Sequence, residues 1–277
     1  MNEGIFNYID KPSPIHKLTG ATKLLCLLFW SFAAMLTFDT RLLAVLSVMA
    51  ILVMALARIK LKEVKVMIWF SLVFLVLNTV LSYLFSPEHG VSIYGTRTEI
   101  AHLFYKYYLV EEQLFYELNV VLKYLATIPV VIIFVSTTNP SEFASSLNRI
   151  GISYKVAYSV ALALRYIPDI QREYHDISIA QQARGLEMSS RKQSLFKRLK
   201  NASSRLFPLI ISSMDRIETV ANAMQLRGFG KNKRRTWYSA RPFRAMDYVS
   251  IAISVLFLVS AFILNHINGG RYYNPFV

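Results

Sequence analysis

Two arginines carry the best-defined chemistry in this sequence. Arg184 stands in the run Ala180-Gln-Gln-Ala183-Arg184-Gly185, and Arg227 in Ala223-Met-Gln-Leu226-Arg227-Gly228. In each run an alanine lies four residues before the arginine, one helical turn up the same face. A glycine follows each arginine, where it can supply the left-handed conformation that ends a helix. A small-residue shelf of this kind lets another molecule come close, and a fixed guanidinium there can bond acidic or carbonyl groups at several points. Such chemistry holds a partner and breaks no bond. An upstream Arg-x-x-Pro precedes each run, Arg165-Tyr-Ile-Pro168 and Arg205-Leu-Phe-Pro208, so the two segments form a quasi-repeat.

Bond-making groups are absent at any recognisable spacing. No Gly-x-x-x-x-Gly-Lys-Ser/Thr loop occurs, so the chain is not itself a P-loop ATPase. The five histidines (His16, His89, His102, His175, His266) are scattered, with no His-x-x-x-His or His-Glu-x-x-His pattern and no serine nucleophile elbow. The single cysteine, Cys26, excludes a disulfide framework or a cysteine metal site within one chain.

Helical periodicity positions the two arginines. Ile167, Ile170, Tyr174, Ile177, Ala180 and Ala183 recur every three or four residues, which predicts an amphipathic helix leading to Arg184. Ile210, Met214, Ile217, Ala221 and Met224 predict a second one leading to Arg227. Between them a basic connector places Leu195, Leu199, Ala202 and Leu206 opposite Lys197, Arg198, Lys200 and Arg205, a face suited to headgroups or water. Upstream, Asn139-Pro140-Ser141-Glu142 reads as a helix start and Gly151 as its end.

The rest is made for lipid. Of 277 residues, 54% are apolar and 17% charged, and the mean hydropathy is +0.37. Five segments are apolar enough to span a bilayer: Thr22–Phe38, Leu42–Ala57, Val66–Phe85, Val120–Ser136 and Tyr248–Asn265. The expected fold is all-α, a polytopic helix bundle with about five spans plus an interfacial or re-entrant helix, and two long amphipathic cytoplasmic helices. The short run Val156–Ile167 contains Arg165 and is expected to lie in the interface or tuck under the bundle. Lys123, near one end of the fourth span, is expected to snorkel to the headgroups.

Charge sets the sidedness. Arg58, Lys60, Lys62 and Lys65 follow the second span, and the positive-inside rule places them in the cytoplasm. Residues 86–113 then fall outside, with two basic residues against four acidic ones. Residues 137–244 fall inside with 19 basic against 7 acidic residues, so this stretch carries +12 of the chain's +14. The organisation read from this is 1–136 for the first four spans, 137–244 for a basic cytoplasmic segment, and 245–277 for the last span and tail. The N-terminus is expected in the cytoplasm, with the first apolar run retained as a span.

These motifs resemble the transmembrane T component of energy-coupling factor transporters, the ABC-type importers of vitamins and metal ions. The likeness rests on Ile15-His16-Lys17-Leu18 with Thr22-Lys23-Leu24-Leu25, on Pro140-Ser-Glu-Phe before Leu147 and Gly151, and on the two Arg-x-x-Pro to Arg-Gly segments. It covers most of the chain. Departures are Leu226 where the family usually has alanine before the second arginine, and Gly20-Ala21 where a proline-basic pair is common. The resemblance implies a non-catalytic scaffold in the cell membrane. It implies that Ala183, Arg184, Gly185, Leu226, Arg227 and Gly228 dock two ATP-binding subunits, or one fused chain, supported by Arg165, Pro168, Ala180, Arg205, Pro208 and Ala223. It also implies a separate small membrane protein that binds the substrate, ATP and magnesium held by the ATPases alone, and no metal or nucleic acid bound by this chain. The rival readings are a self-contained secondary carrier, for which Asn78 and Lys123 are the available mid-membrane polar groups, and a membrane-anchored nucleic-acid or lipid binder using the basic stretches 191–205 and 231–244.

Overall fold

A computed structural model describes residues 13–104, 107–185, 195–232, 236–238 and 240–276, with side chains described outside 101–107 and 195–201. The chain divides into two units, residues 1–139 with 241–277, and residues 140–240.

The first unit holds the five apolar segments as helices: α1 (Gly20–Leu36), α2 (Thr40–Leu56), α3 (Leu61–Phe85), α5 (Glu111–Thr137) and α9 (Ala245–Ile267), with a short α4 (His89–Tyr94) between α3 and α5. Helices α3, α5 and α9 have 25, 27 and 23 residues and are long and apolar enough to cross a membrane. Helices α1 and α2 have 17 residues each, about 25 Å of rise against a hydrocarbon core of about 30 Å. Polar N-caps fix where they begin: the Thr19 hydroxyl accepts from Thr22 N, and Asp39 accepts from Arg41 N at 3.0 Å.

Helix α5 is the centre of this unit and packs on α1, α2 and α3, while α9 packs on α1. The core is small-residue and leucine packing: Ala33 and Ala34 of α1, Leu43, Leu46 and Ala50 of α2, Ala126 of α5 and Ala261 of α9 are all almost fully buried. Alanines at these crossings let backbones approach, the packing mode expected where lipid competes for every apolar face. Two side chains stitch backbones across the contact, since Trp30 Nε1 donates to the Ala126 carbonyl at 2.9 Å and Ser47 Oγ to Leu122 O at 2.9 Å. By contrast, α3 buries only Val64 and turns Trp69, Phe70, Val73 and Leu77 outward.

At one end of the unit the tail folds back on the α1–α2 turn. Phe38 N donates to Arg271 O at 2.7 Å, Phe38 stacks on Tyr272, and Asp39 accepts from Arg41 and Asn268. Burial pushes the Asp39 carboxyl up, but those donors outweigh it and hold it below its ordinary range. Lys123 reaches this end too, with Nζ 3.3 Å from Met35 O and 3.2 Å above the Phe38 ring. The ammonium is held by protein groups of the α1–α2 turn, whereas the sequence led to an expectation of headgroup contact.

Residues 86–113 add what periodicity did not predict, an antiparallel hairpin of β1 (Glu99–Phe104) and β2 (Tyr107–Val110) in an otherwise helical chain. It is pinned to the start of α5, where the buried Glu112 accepts from Thr98 N at 3.0 Å and Gln113 accepts from Gly90 N at 2.8 Å. Gly90 is required there, because a Cβ would sit 2.4 Å from Glu112 O.

The second unit contains α6 (Pro140–Arg149), α7 (Tyr154–Ala183) and α8 (Leu195–Leu226). Helix α6 ends as expected at Gly151, whose φ is +106°. Two boundaries differ from the sequence reading. Val156–Ile167 is no separate interfacial element, because it forms the first half of the continuous 30-residue α7. The connector and the last helix likewise join as the 32-residue α8. Pro168 and Pro208 therefore sit inside helices. A proline removes one intrahelical hydrogen bond and crowds the preceding turn, and packing on both sides of Pro168 offsets this: Leu162 and Tyr166 before it and Ile170 after it all face α8. The side chains of Leu195, Lys197, Arg198, Leu199 and Lys200, and the stretch holding Met188, lie outside the described residues.

Candidate functional site

Both Arg-Gly runs are helix ends of the same construction. Arg184 N donates to Ala180 O and Gly185 N to Gln182 O, with Gly185 at φ +83°. Arg227 N donates to Ala223 O and Gly228 N to Gln225 O, with Gly228 at φ +67°. At α8 the motif closes with Phe229 N on Met224 O, the six-to-one bond of a Schellman cap. Each arginine is therefore the last residue before a left-handed glycine. Ala180, Ala183, Arg184 and Gly185 are exposed at one tip, and Ala223, Leu226 and Arg227 at the other, with Leu226 89% accessible.

Contacts between α7 and α8 run antiparallel. Glu173 accepts from Arg216 Nη2 at 2.7 Å and from Ser212 Oγ. An apolar cavity of about 310 Å³ lies beside that bridge, between Leu162 and Tyr166 of α7 and Ile217, Val220 and Met224 of α8. Beyond Gly228 the chain folds onto the start of α7, where Phe229 lies 4.9 Å from Tyr158, and Trp237 packs on Tyr154 and donates to Asn148 Oδ1. The tip of α8 is thus beside the beginning of α7, and the tip of α7 lies at the other end of the pair.

The Glu173–Arg216 bridge stands at equal distance from both tips. Arg184 is 11 residues beyond Glu173 and Arg227 is 11 residues beyond Arg216, an arm of about 16 Å in each direction. Helical periodicity leaves Glu173 and Arg216 off the two apolar stripes and does not reveal their pairing. The equal offset to the two Arg-Gly ends was the signal that could have found it. Arg165, Pro168, Arg205 and Pro208 do not reach the tips. They lie within the helices, and the Arg205 guanidinium sits 5.4 Å from the Tyr174 ring centroid. Since Arg216 is more than a third exposed, the bridge contributes on the order of 1 kcal/mol. Its effect should be geometric: Glu173→Ala is expected to broaden the distance distribution between spin labels placed at Gln182→Cys and Gln225→Cys in a Cys26→Ser background. An unchanged distribution would show that the bridge does not set the crossing.

No cluster of three or more His, Cys, Asp or Glu side chains that could hold a metal occurs among the described residues. The site is a pair of oppositely directed Arg-Gly helix tips on an α7–α8 pair bridged by Glu173 and Arg216.

Comparison with known proteins finds relatives over nearly the whole chain. The chain is 26% identical to the energy-coupling factor transporter transmembrane protein EcfT of Bacillus subtilis over 268 residues, 92% of this chain and 95% of the relative. It is 27% identical to the EcfT of Brevibacillus brevis over 275 residues, 93% and 96% of the two chains. The match to the EcfT of Limosilactobacillus fermentum is 31% identical over 144 residues, where the chain spans about half of the relative's length, 53%. The match to that of Staphylococcus aureus, 27% identical over 157 residues, spans 58% of the relative. A family model described as CbiQ, cobalt transport protein, matches residues 11–238, which include both helix tips and the crossing between them, and the chain therefore belongs to the CbiQ cobalt transport protein family.

Proposed function

We propose that this chain is the energy-coupling transmembrane scaffold of an ATP-driven importer, with no catalytic group of its own. Two ATPase subunits, or the two halves of a fused chain, bind ATP and magnesium and receive the tips at Arg184 and Arg227. A small integral-membrane subunit binds the transported vitamin, metal ion or other micronutrient. ATP binding closes the ATPase pair, the two gripped tips move relative to each other about the α7–α8 crossing, and the apolar faces of these helices pass that motion to the substrate-binding subunit. In this arrangement the N-terminus and residues 137–244 lie in the cytoplasm and the first unit lies in the cell membrane, consistent with the +12 charge of that segment.

One observation supports this reading above the others: two helix ends of the same cap geometry stand at equal arm lengths on opposite sides of one crossing. A pair of related ATPase surfaces facing each other presents the complementary arrangement. The apolar faces of α7 and α8 also remain open, with Ile179, Ile210, Met214 and Ile217 exposed. The test is affinity purification of the full chain from its native membrane in mild detergent. An ATPase and a small hydrophobic protein are expected with it. Recovery of the chain alone, together with uptake by the purified chain in liposomes, would establish a self-contained carrier instead.

A further inference from the structure

The first unit contains two adjoining cavities that the coupling role leaves unused. One, of about 270 Å³, lies where α1 and α9 begin, with Lys17, Arg244 and Ser13 on its wall beside Leu18 and Met246. The other, of about 170 Å³ and mainly apolar, continues between α1, α2, α5 and α9 and is walled by Leu18, Cys26, Trp30, Ile133 and Ser254, with Lys23, whose ammonium is taken up by Thr137 O, also on its wall. Leu18 is common to both. A charged pocket thus opens beside an apolar one.

Their depths match the two parts of a lipid. Helices α1 and α9 start at the same membrane face, since Asp247 at the head of α9 accepts from Thr19 N and Thr22 Oγ1 at the head of α1. Going from Gly20, the first residue of α1, to Trp30 descends about 15 Å, and from Asp247 to Ser254 along α9 about 10 Å. Half of a bilayer's hydrocarbon core is about 15 Å. The first cavity is at headgroup level and the second at acyl-chain level. Charge agrees with this assignment. The Lys17 and Arg244 side chains are exposed at the pocket, whereas the carboxylate on its wall, Asp247, is 1% accessible and already accepts from Thr19, Thr22 and the Arg244 N–H. Basic pockets between spanning helices at the membrane surface select phosphate-bearing headgroups.

We propose that this double cavity is a binding site for one anionic phospholipid, its phosphate between Lys17 and Arg244 and the upper part of one acyl chain between Cys26, Trp30 and Ser254. The bound lipid fills the gap between α1 and α9 on one side and α2 and α5 on the other, and so acts as a packing element of the spanning bundle. The proposal is independent of how α7 and α8 are used.

Native mass spectrometry of the full chain in detergent, titrated with palmitoyl-oleoyl phosphatidylglycerol, tests it. One molecule is expected to remain bound to the unaltered protein. Lys17→Gln with Arg244→Gln should weaken retention by on the order of thirtyfold for the two charges together, and Ser254→Leu should weaken it by filling the acyl cavity. Inorganic phosphate in millimolar excess should not displace the lipid. If phosphate displaces it and Ser254→Leu has no effect, the pocket takes a free phosphate and the lipid assignment fails. Equal retention by all variants also overturns it. A second measurement does not depend on altering the pocket: in Trp69→Phe, Trp237→Phe protein, phosphatidylglycerol brominated on its acyl chain should quench Trp30 emission at lower mole fraction than brominated phosphatidylcholine. Equal quenching by the two lipids would refute the site.

Discussion

Substrate uptake in cells carrying Arg184→Ala together with Arg227→Ala is expected to fall to background, with the chain still inserted in the membrane and no ATPase recovered with it. Truncating one member of a desolvated, hydrogen-bonded charge pair at an interface costs about 2–5 kcal/mol, so each single replacement should weaken ATPase association by roughly thirtyfold or more. The double variant should lose both grips. Folding should be spared, because both arginines are exposed at helix ends and neither contributes to a core cluster. Arg184→Lys is a sharper probe than alanine. Lysine keeps the charge but lacks the planar fork, so partial activity indicates that the partner binds through several directed bonds. Normal uptake and normal ATPase recovery in both single variants and in the double would remove the tips from the mechanism.

Asp247→Ala is expected to be the most damaging single replacement in the membrane unit for stability. The carboxylate accepts from Thr19 N at 2.9 Å, Thr22 Oγ1 at 2.8 Å and Arg244 N at 2.7 Å. Alanine leaves those donors without their acceptor at a site from which the carboxylate is almost fully shielded, at about 1–3 kcal/mol for each donor left unmet. A net loss of about 3–5 kcal/mol is expected after partial rehydration. It should appear as a lowered thermal midpoint in detergent and reduced yield. Asp247→Asn keeps one acceptor and the side-chain shape, so it should fall between the two. An unchanged midpoint for Asp247→Ala would show that the α1–α9 contact is held by apolar packing alone. Lys23 belongs to the same clasp: its ammonium, 6% accessible, donates to Thr137 O at the end of α5 at 2.8 Å.

Some of this molecule could be read without coordinates because the controlling interactions are local. A glycine after Arg184 or Arg227 ends a helix through its own φ, and Gly151 does the same for α6. The five apolar helices follow from runs of residues that lipid alone can solvate. Other features failed at the same local level. The run Val156–Ile167 read as an element separate from the helix after it, yet contacts with the neighbouring helix carry α7 through Pro168, and tertiary packing outweighs one missing hydrogen bond there. The hairpin at Glu99–Val110 was not predicted, since its placement depends on Glu112 and Gln113 bonding to backbone that precedes the hairpin.

By itself, then, the sequence determined the all-helical membrane character, the concentration of positive charge in one segment, and the two capped arginine ends, each a consequence of neighbouring residues or of composition. Only the tertiary structure decided that α7 and α8 cross antiparallel, which directs the two tips away from each other, and that Glu173 and Arg216 meet midway between them. It alone joined Thr19 and Thr22 to Asp247, 228 and 225 positions away, and so placed Lys17 and Arg244 around one pocket. The physical reason is that such contacts join side chains from distant parts of the chain, whose meeting depends on how whole helices pack and on no periodicity within either helix.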